Sequence, residues 1–241
     1  RRFDIVIAHR VCPALSKTAV GFSDKRKMVE ATTLSLRDAL EGVTARLIVI
    51  LDGCDDYESI FRDAFSQCKN VDLSFEHYQG IGNQATYGRQ IELLADVDDS
   101  DCVYFSEDDY LYRKHAFKAM LHYVQSPRVD LVTPIDHPDR YNCVLERPRP
   151  VRLSVTRDCH WREVGSSCLT FLVRTTVLKD CRRVFESYVH STEEATMWLG
   201  LTKDGVFDVF HLAWAAIRHF VLRRQIPFGE VMALCTWKRQ G

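Results

Sequence analysis

Apolar residues fall in short blocks separated by amphipathic stretches, and this alternation predicts an α/β protein. The first block, Phe3-Asp4-Ile5-Val6-Ile7-Ala8, is β-branched and ends in His9-Arg10, as a strand with polar residues at its exit does. Asp24 can cap a helix running to Leu40, because Met28, Thr32, Leu36 and Ala39-Leu40 recur at helical spacing and Gly42 follows as a stop. Leu47 to Leu51 is continuously apolar, which suits a strand buried on both faces, and Asp52-Gly53-Cys54-Asp55-Asp56 closes it. Tyr57 to Cys68 places Ile60, Phe61, Ala64 and Phe65 on one helical face, and Val71 to Phe75 alternates as a third strand. Gln79 to Arg89 reads as a glycine-spaced loop leading into a helix that holds Ile91, Leu93 and Leu94. A strand over Cys102 to Phe105, a helix over Lys114 to Val124 and a strand over Val129 to Thr133 complete the half. This β-α-β-α-β order with short connections predicts a mostly parallel sheet with helices on both faces.

The second half changes character. Pro134, Pro138, Pro148 and Pro150 make 135–150 a loop. Val151 to Val155 and Cys168 to Val173 read as strands around a polar loop, Arg157 to Glu163. From Thr176 the chain is expected to be mainly helical, with Phe210, Ala213-Trp214, Ile217 and Val221 on one face of Phe207 to Arg224.

Composition narrows the field. A formal net charge of -1 over 241 residues gives no global field for nucleic acid. The nine cysteines are odd in number, form no Cys-x-x-Cys pair and sit partly in apolar runs, so reduced thiols of an intracellular, cytoplasmic protein are expected. No signal peptide is evident, and no apolar run reaches the roughly 18 residues of a membrane span. The chain opens on Arg1 rather than Met, which raises the expectation of flanking domains.

The chemistry concentrates at Glu107-Asp108-Asp109, where an apolar strand stops in three consecutive carboxylates. Like charges side by side repel, and a hard divalent cation, Mg²⁺ or Mn²⁺, is the usual offset. An acidic turn before the helix at Lys114 is the plainer alternative. In an open α/β sheet the polar strand ends His9-Arg10, Asp52 and Glu107 to Asp109 converge on one edge, where ligands bind. Rival motifs are missing: no Gly-x-Gly-x-x-Gly follows the first strand, and neither a P-loop nor a Gly-x-Ser-x-Gly elbow occurs.

With the opening strand Ile5-Val6-Ile7-Ala8, Asp52 closing the second strand, Gly82-Asn83 entering a helix and Tyr104-Phe105-Ser106-Glu107-Asp108-Asp109, the chain resembles the GT-A-fold glycosyltransferases, which use nucleotide-sugar donors. The likeness spans roughly Phe3 to Leu201, and the family's Asp-x-Asp maps onto Glu107-x-Asp109. It implies one domain over 1–241, with a nucleotide-binding half (1–134) and an acceptor-binding, catalytic half (135–241). The activity implied is sugar transfer from a nucleotide donor, UDP-linked by expectation, to a hydroxyl of a glycan acceptor. Ala8, His9, Arg10, Asp52, Gly82, Asn83 and Tyr87 would line the nucleotide site, with Glu107 or Asp108 at the ribose. Asp109, Glu107 and a late histidine, His211, would hold Mn²⁺ or Mg²⁺. Inverting members take a carboxylate base from a short acidic motif at a helix start. Here Glu194 or Glu193 of Thr192-Glu193-Glu194 would serve, although Ser191-x-x-Glu194 also reads as a capping box. The alternatives carried forward are a sugar nucleotidyltransferase, which would want a Gly-x-Gly-Thr-Arg loop, and a non-catalytic glycan-binding domain.

Overall fold

The computed structural model describes residues 2–15, 21–136, 152–157, 159–190 and 194–202, with Ala213 and Ile217 as single helical positions. The chain divides into two compact units, one formed by 1–134 with 169–182 and the other by 135–168 with 183–241.

The first unit is a mixed α/β structure around a mostly parallel six-stranded sheet. β1 (Ile5–Val11), β2 (Ala45–Asp52), β3 (Val71–Tyr78) and β4 (Cys102–Glu107) are parallel neighbours in the order β3-β2-β1-β4. β8 (Phe171–Arg174) joins β4 antiparallel, and β5 (Leu131–Val132) joins β8 antiparallel, so β5 again runs with β4. α1 (Lys25–Ala39) and α2 (Glu58–Phe65) make consecutive crossovers in one direction, and α3 (Asn83–Ala95) crosses back from β3 to β4. Since such crossovers are right-handed, α1 and α2 lie on one face and α3 on the other. The direction reverses between β1 and β4, and ligands of open α/β sheets bind outside the strand ends at such a switch point.

Sequence dictates these elements locally. β1 has no solvent-facing position: Ile5, Val6, Ile7 and Ala8 are wholly buried, because β2 and β4 pair with it on both sides. Asp24 caps α1, accepting from Arg26 N at 2.9 Å. The buried face of α1 carries Met28, Val29, Leu36 and Ala39, but also the polar Lys25 and Thr32.

Several boundaries differ from expectation. α3 starts at Asn83, so Tyr87, Gly88 and Arg89 are helical rather than loop. One glycine among good helix formers costs about 1 kcal/mol, and the buried Tyr87, Ile91 and Leu94 offset it. α4 (Ala116–Val124) begins two residues late because His115 sits at φ 65°. In the second unit, β6 (Leu153–Val155) pairs antiparallel with β7 (His160–Arg162), which was expected to be loop. Three polar or aromatic residues carry no periodic signal, and pairing with β6 supplies the order. The expected helicity begins at α5 (Thr175–Asp180) and continues in α6 (Arg182–Glu186) and α7 (Glu194–Thr202). The expected helix over Phe207 to Arg224 lies outside the described residues, apart from two helical positions.

Candidate functional site

The ends of β1 and β4 form a small polar core beneath the switch point. At the end of β1, Arg10 is 6% exposed and its guanidinium reaches three elements. Its Nη1 donates to the carbonyl and the side-chain oxygen of Asn83, each at 2.7 Å, and its Nη2 pairs with Glu107 Oε1 at 2.5 Å. Its charge lies 5.7 Å above the ring of Tyr87. Thr170, at the entrance to β8, donates to the other Glu107 oxygen at 3.4 Å.

Asp108 is held differently. Its carboxylate pairs with Lys25 Nζ at 2.8 Å and accepts from Cys12 N at 3.0 Å, while its carbonyl accepts from Thr32 Oγ1 at 2.9 Å. Burial pushes the Asp108 carboxyl above the usual range, and the charge of Lys25 works against that. Four residues on, Tyr112 N donates to Ser35 Oγ at 3.1 Å. Lys25, Thr32 and Ser35 therefore fasten α1 to both ends of the acidic turn. Asp109, at its crest, is exposed and makes no hydrogen bond or ion pair among the described residues.

Below this layer Ser106 Oγ lies 2.7 Å from His9 Nδ1 and 2.9 Å from the Tyr112 hydroxyl. Gln90 donates to the carbonyls of Ala8 and Ser106 at 2.7 and 3.1 Å. Burial, with help from the nearby Lys25 and Arg10, drives the His9 pKa down to about 3, so this imidazole is neutral.

At the neighbouring strand end Asp52 acts on backbone. Its Oδ1 accepts from Gly80 N and Ile81 N at 2.7 and 2.8 Å, and its Oδ2 from Gly82 N at 2.8 Å. Folding three successive N–H groups around one carboxylate requires φ of 79° at Gly80 and 89° at Gly82, a region that glycine enters without strain. Nothing stands within 4 Å of where a Gly82 side chain would begin, so open space adjoins the start of α3.

The structure thus brings Arg10, Asn83 and Glu107 into one hydrogen-bonded cluster and pairs Asp108 separately with Lys25, with Asp109 next in the chain and the Asp52–Gly82 loop next to Asn83. Ala8, His9 and Tyr87, expected at the nucleotide, are 0%, 1% and 0% exposed and lie beneath the strand ends. Asn83 and Gly82 are exposed. Glu194 opens α7 in the second unit and accepts from the Trp198 indole at 2.5 Å. Glu193, His211 and the capping Ser191 lie outside the described residues. The sequence reading missed Lys25, Thr32, Ser35 and Thr170. A lysine and a threonine on the apolar face of α1 were the available signal for the first two.

The donor set permits a simple test of the implied metal. Two of the three acids already have cationic partners, and among the described residues no three His, Cys, Asp or Glu side chains gather so as to hold an ion. Asp109 alone has a carboxylate at liberty, which suits Mg²⁺ or Mn²⁺ only in company with substrate phosphates, a common arrangement for Mg²⁺.

No protein-family model matches the chain, and no curated protein matches it. Solved structures do. TarS 1-349 from S. aureus aligns with a TM-score of 0.52 at 13% identity, over 98% of this chain and 70% of that one. A protein from Desulfovibrio desulfuricans G20 assigned as a nucleotide-diphospho-sugar transferase aligns at 0.50 and 14% identity, over 99% and 98%. TarS 1-349 in complex with UDP-GlcNAc aligns at 0.49 and 14% identity, over 81% and 52%. The first two alignments show the fold, a GT-A-like α/β fold. None of the described helices is long and apolar enough to cross a membrane.

Proposed function

We propose that the protein is a glycosyltransferase that moves a sugar from a nucleoside-diphosphate donor, a UDP-sugar first among them, to a hydroxyl of a glycan acceptor. The observation that carries this is the convergence of Arg10, Asn83, Glu107 and the free Asp109 at the switch point of the sheet, where nucleotides bind in open α/β folds. The loop anchored by Asp52 and the exposed start of α3 offer glycine backbone to a base and ribose. Asp109 would hold a divalent cation together with the diphosphate, and such an ion supplies several kcal/mol of charge stabilisation to a departing phosphate.

The residues of the chain then divide the work. Arg10 fixes Asn83 and Glu107 in place, while Lys25 holds the Asp108 carboxylate and Thr32 its carbonyl, next to Asp109. In the second unit Glu194 is the proposed base that takes the proton of the acceptor hydroxyl, with the Trp198 indole orienting its carboxylate. A thermal-shift panel of UDP-, GDP-, CDP- and ADP-sugars, with and without Mn²⁺, tests the donor class. A rise in Tm with one nucleotide family is expected, and silence across the panel overturns the proposal. For the base, Glu194→Gln keeps the shape but accepts no proton, so kcat should fall about 10²–10⁴-fold with donor affinity unchanged. Near-normal turnover would remove Glu194 from catalysis.

A further inference from the structure

The turn that leads into β8 holds two consecutive residues in the left-handed region, Cys168 at φ 49° and Leu169 at φ 58°. Neither is glycine or asparagine, and there the β-carbon crowds the following carbonyl, so each position costs conformational energy. Backbone of this kind persists only where its surroundings hold it, and it gathers at sites with a task. Leu169 is 4% exposed, and its burial offsets part of the cost. The residue after the turn points to the task. Thr170 is wholly buried; its carbonyl accepts from Thr133 Oγ1 at 2.8 Å, and its hydroxyl donates to Glu107 Oε2 at 3.4 Å. The ladder between β4 and β8 sets Phe171 opposite Phe105, so Thr170 comes opposite Ser106, yet its hydroxyl reaches on to Glu107. We propose that Thr170 is a positioning residue for Glu107, and that the strained turn is kept in order to place it. This rests on the transferase function above, in which Glu107 belongs to the nucleotide site.

The physical basis is the softness of a glutamate at its tip. Its last torsion is broad, so a carboxylate held at one oxygen can still turn. Arg10 takes Oε1 at 2.5 Å and Thr170 takes Oε2, and together they fix the plane of the group. Each oxygen keeps a further lone pair, and the side chain is 24% exposed, so a ligand can reach it. A donor from the nucleotide then meets an acceptor already aimed, and no torsion has to be frozen on binding.

The experiment compares the whole chain as wild type, Thr170→Val, Thr170→Ser and Cys168→Gly, by thermal melting and by calorimetry of UDP, GDP, CDP and ADP. For the nucleotide that wild type binds, Thr170→Val should weaken affinity about three- to tenfold, as for one lost hydrogen bond. Thr170→Ser restores the hydroxyl and should bring affinity back to within about twofold. Glycine enters the same φ without cost, so Cys168→Gly should raise Tm by about 2–4 °C and leave affinity unchanged. A merely architectural Thr170 would lower Tm in Thr170→Val and leave affinity alone, which overturns the positioning, as does a serine that fails to rescue. A lower Tm in Cys168→Gly overturns the strain. Thr170→Ala also lacks the hydroxyl and decides in place of Thr170→Val should valine fail to fold. Silence from all four nucleotides defeats the transferase function and the positioning with it, whereas nucleotide binding indifferent to Thr170→Val defeats the positioning alone.

Discussion

Asp52 ends β2 and Asp108 follows β4, the strands on either side of β1, and both are nearly buried, at 5% and 6% exposure. Their partners differ in kind. Asp52 takes three backbone N–H groups from one loop, whereas Asp108 takes a lysine from α1 and a single N–H. A carboxylate ringed by amides shapes the chain around it, and everything it organises lies within residues 80–82. A carboxylate paired with a distant cation fixes one element against another, here α1 against the turn that carries Asp109. The same residue type at equivalent strand ends therefore shapes one loop at β2 and ties two elements together at β4.

The sharpest way to break this comparison is to remove the cation. Lys25→Met leaves Asp108 as an uncompensated buried charge, and losing one partner of a buried pair costs about 3–5 kcal/mol. Adding Asp108→Asn should restore most of that, as urea midpoints of the single and double variants will show. A small loss in the single variant would mean that water already reaches the pair. Next in size is Asp52→Ala, which orphans three N–H groups at once. The loop is exposed and water replaces part of the bonding, so about 1.5–3 kcal/mol is expected, the worth of one charged hydrogen bond rather than three. UDP affinity should weaken with it, since the loop entering α3 loosens. Full stability in Asp52→Ala would show that the glycines hold the loop without their anchor.

How much of this could be read from the sequence depends on how far apart in the chain the partners lie, and the partners of Asp52, 28 to 30 positions away in its loop, were no more legible than those of Asp108. Local features were legible. Leu47 to Leu51 is an unbroken apolar run, so β2 and its terminal Asp52 were evident, and the acidic end of β4 was equally plain. Long-range partners were not. Nothing in the spacing of Lys25 and Asp108, 83 positions apart, says that they meet, and three adjacent acids taken alone left a cation from outside and a plain acidic turn both open. β8 illustrates the same limit. Its apolar residues predicted a strand, but four residues carry no direction, and only the fold reveals that it runs antiparallel between β4 and β5.

Between β1 and β4 lies a further buried titrating group, the imidazole of His9 against Ser106. His9 is neutral in the folded protein, with its pKa near 3 against 6.5 for the unexceptional imidazole. Below pH 6.5 the unfolded chain binds a proton that the folded chain refuses. The contribution of His9 is therefore complete above pH 6.5 and is lost as pH falls from 6.5 toward 3, by up to about 1.4 kcal/mol per unit. Asp108 acts in the opposite sense, because its raised carboxyl binds a proton more readily folded than unfolded and recovers some stability at low pH. His9→Gln should flatten the acid limb of a stability profile measured by urea titration from pH 7 to 4. Parallel profiles for the two proteins would show that His9 is hydrated rather than sealed.

The smallest effect on stability belongs to Asp109, and it separates ligand chemistry from architecture. Asp52 and Asp108 hold the fold, whereas Asp109 has no partner in it among the described residues, so Asp109→Ala should change unfolding free energy by no more than about 0.5 kcal/mol. The sign should favour the variant slightly, since one of three adjacent like charges is gone. Joint binding of Mn²⁺ and UDP, in contrast, should fall by at least about tenfold, because the substituted residue is the one carboxylate at liberty to meet the ion. Calorimetry with and without Mn²⁺ gives both halves. UDP alone should bind the variant and the wild type alike, and only the increment due to Mn²⁺ should vanish. A variant that keeps that increment would take Asp109 out of the site, and one that melts like Asp52→Ala would make Asp109 a third structural acid, erasing the contrast between the turn and its crest.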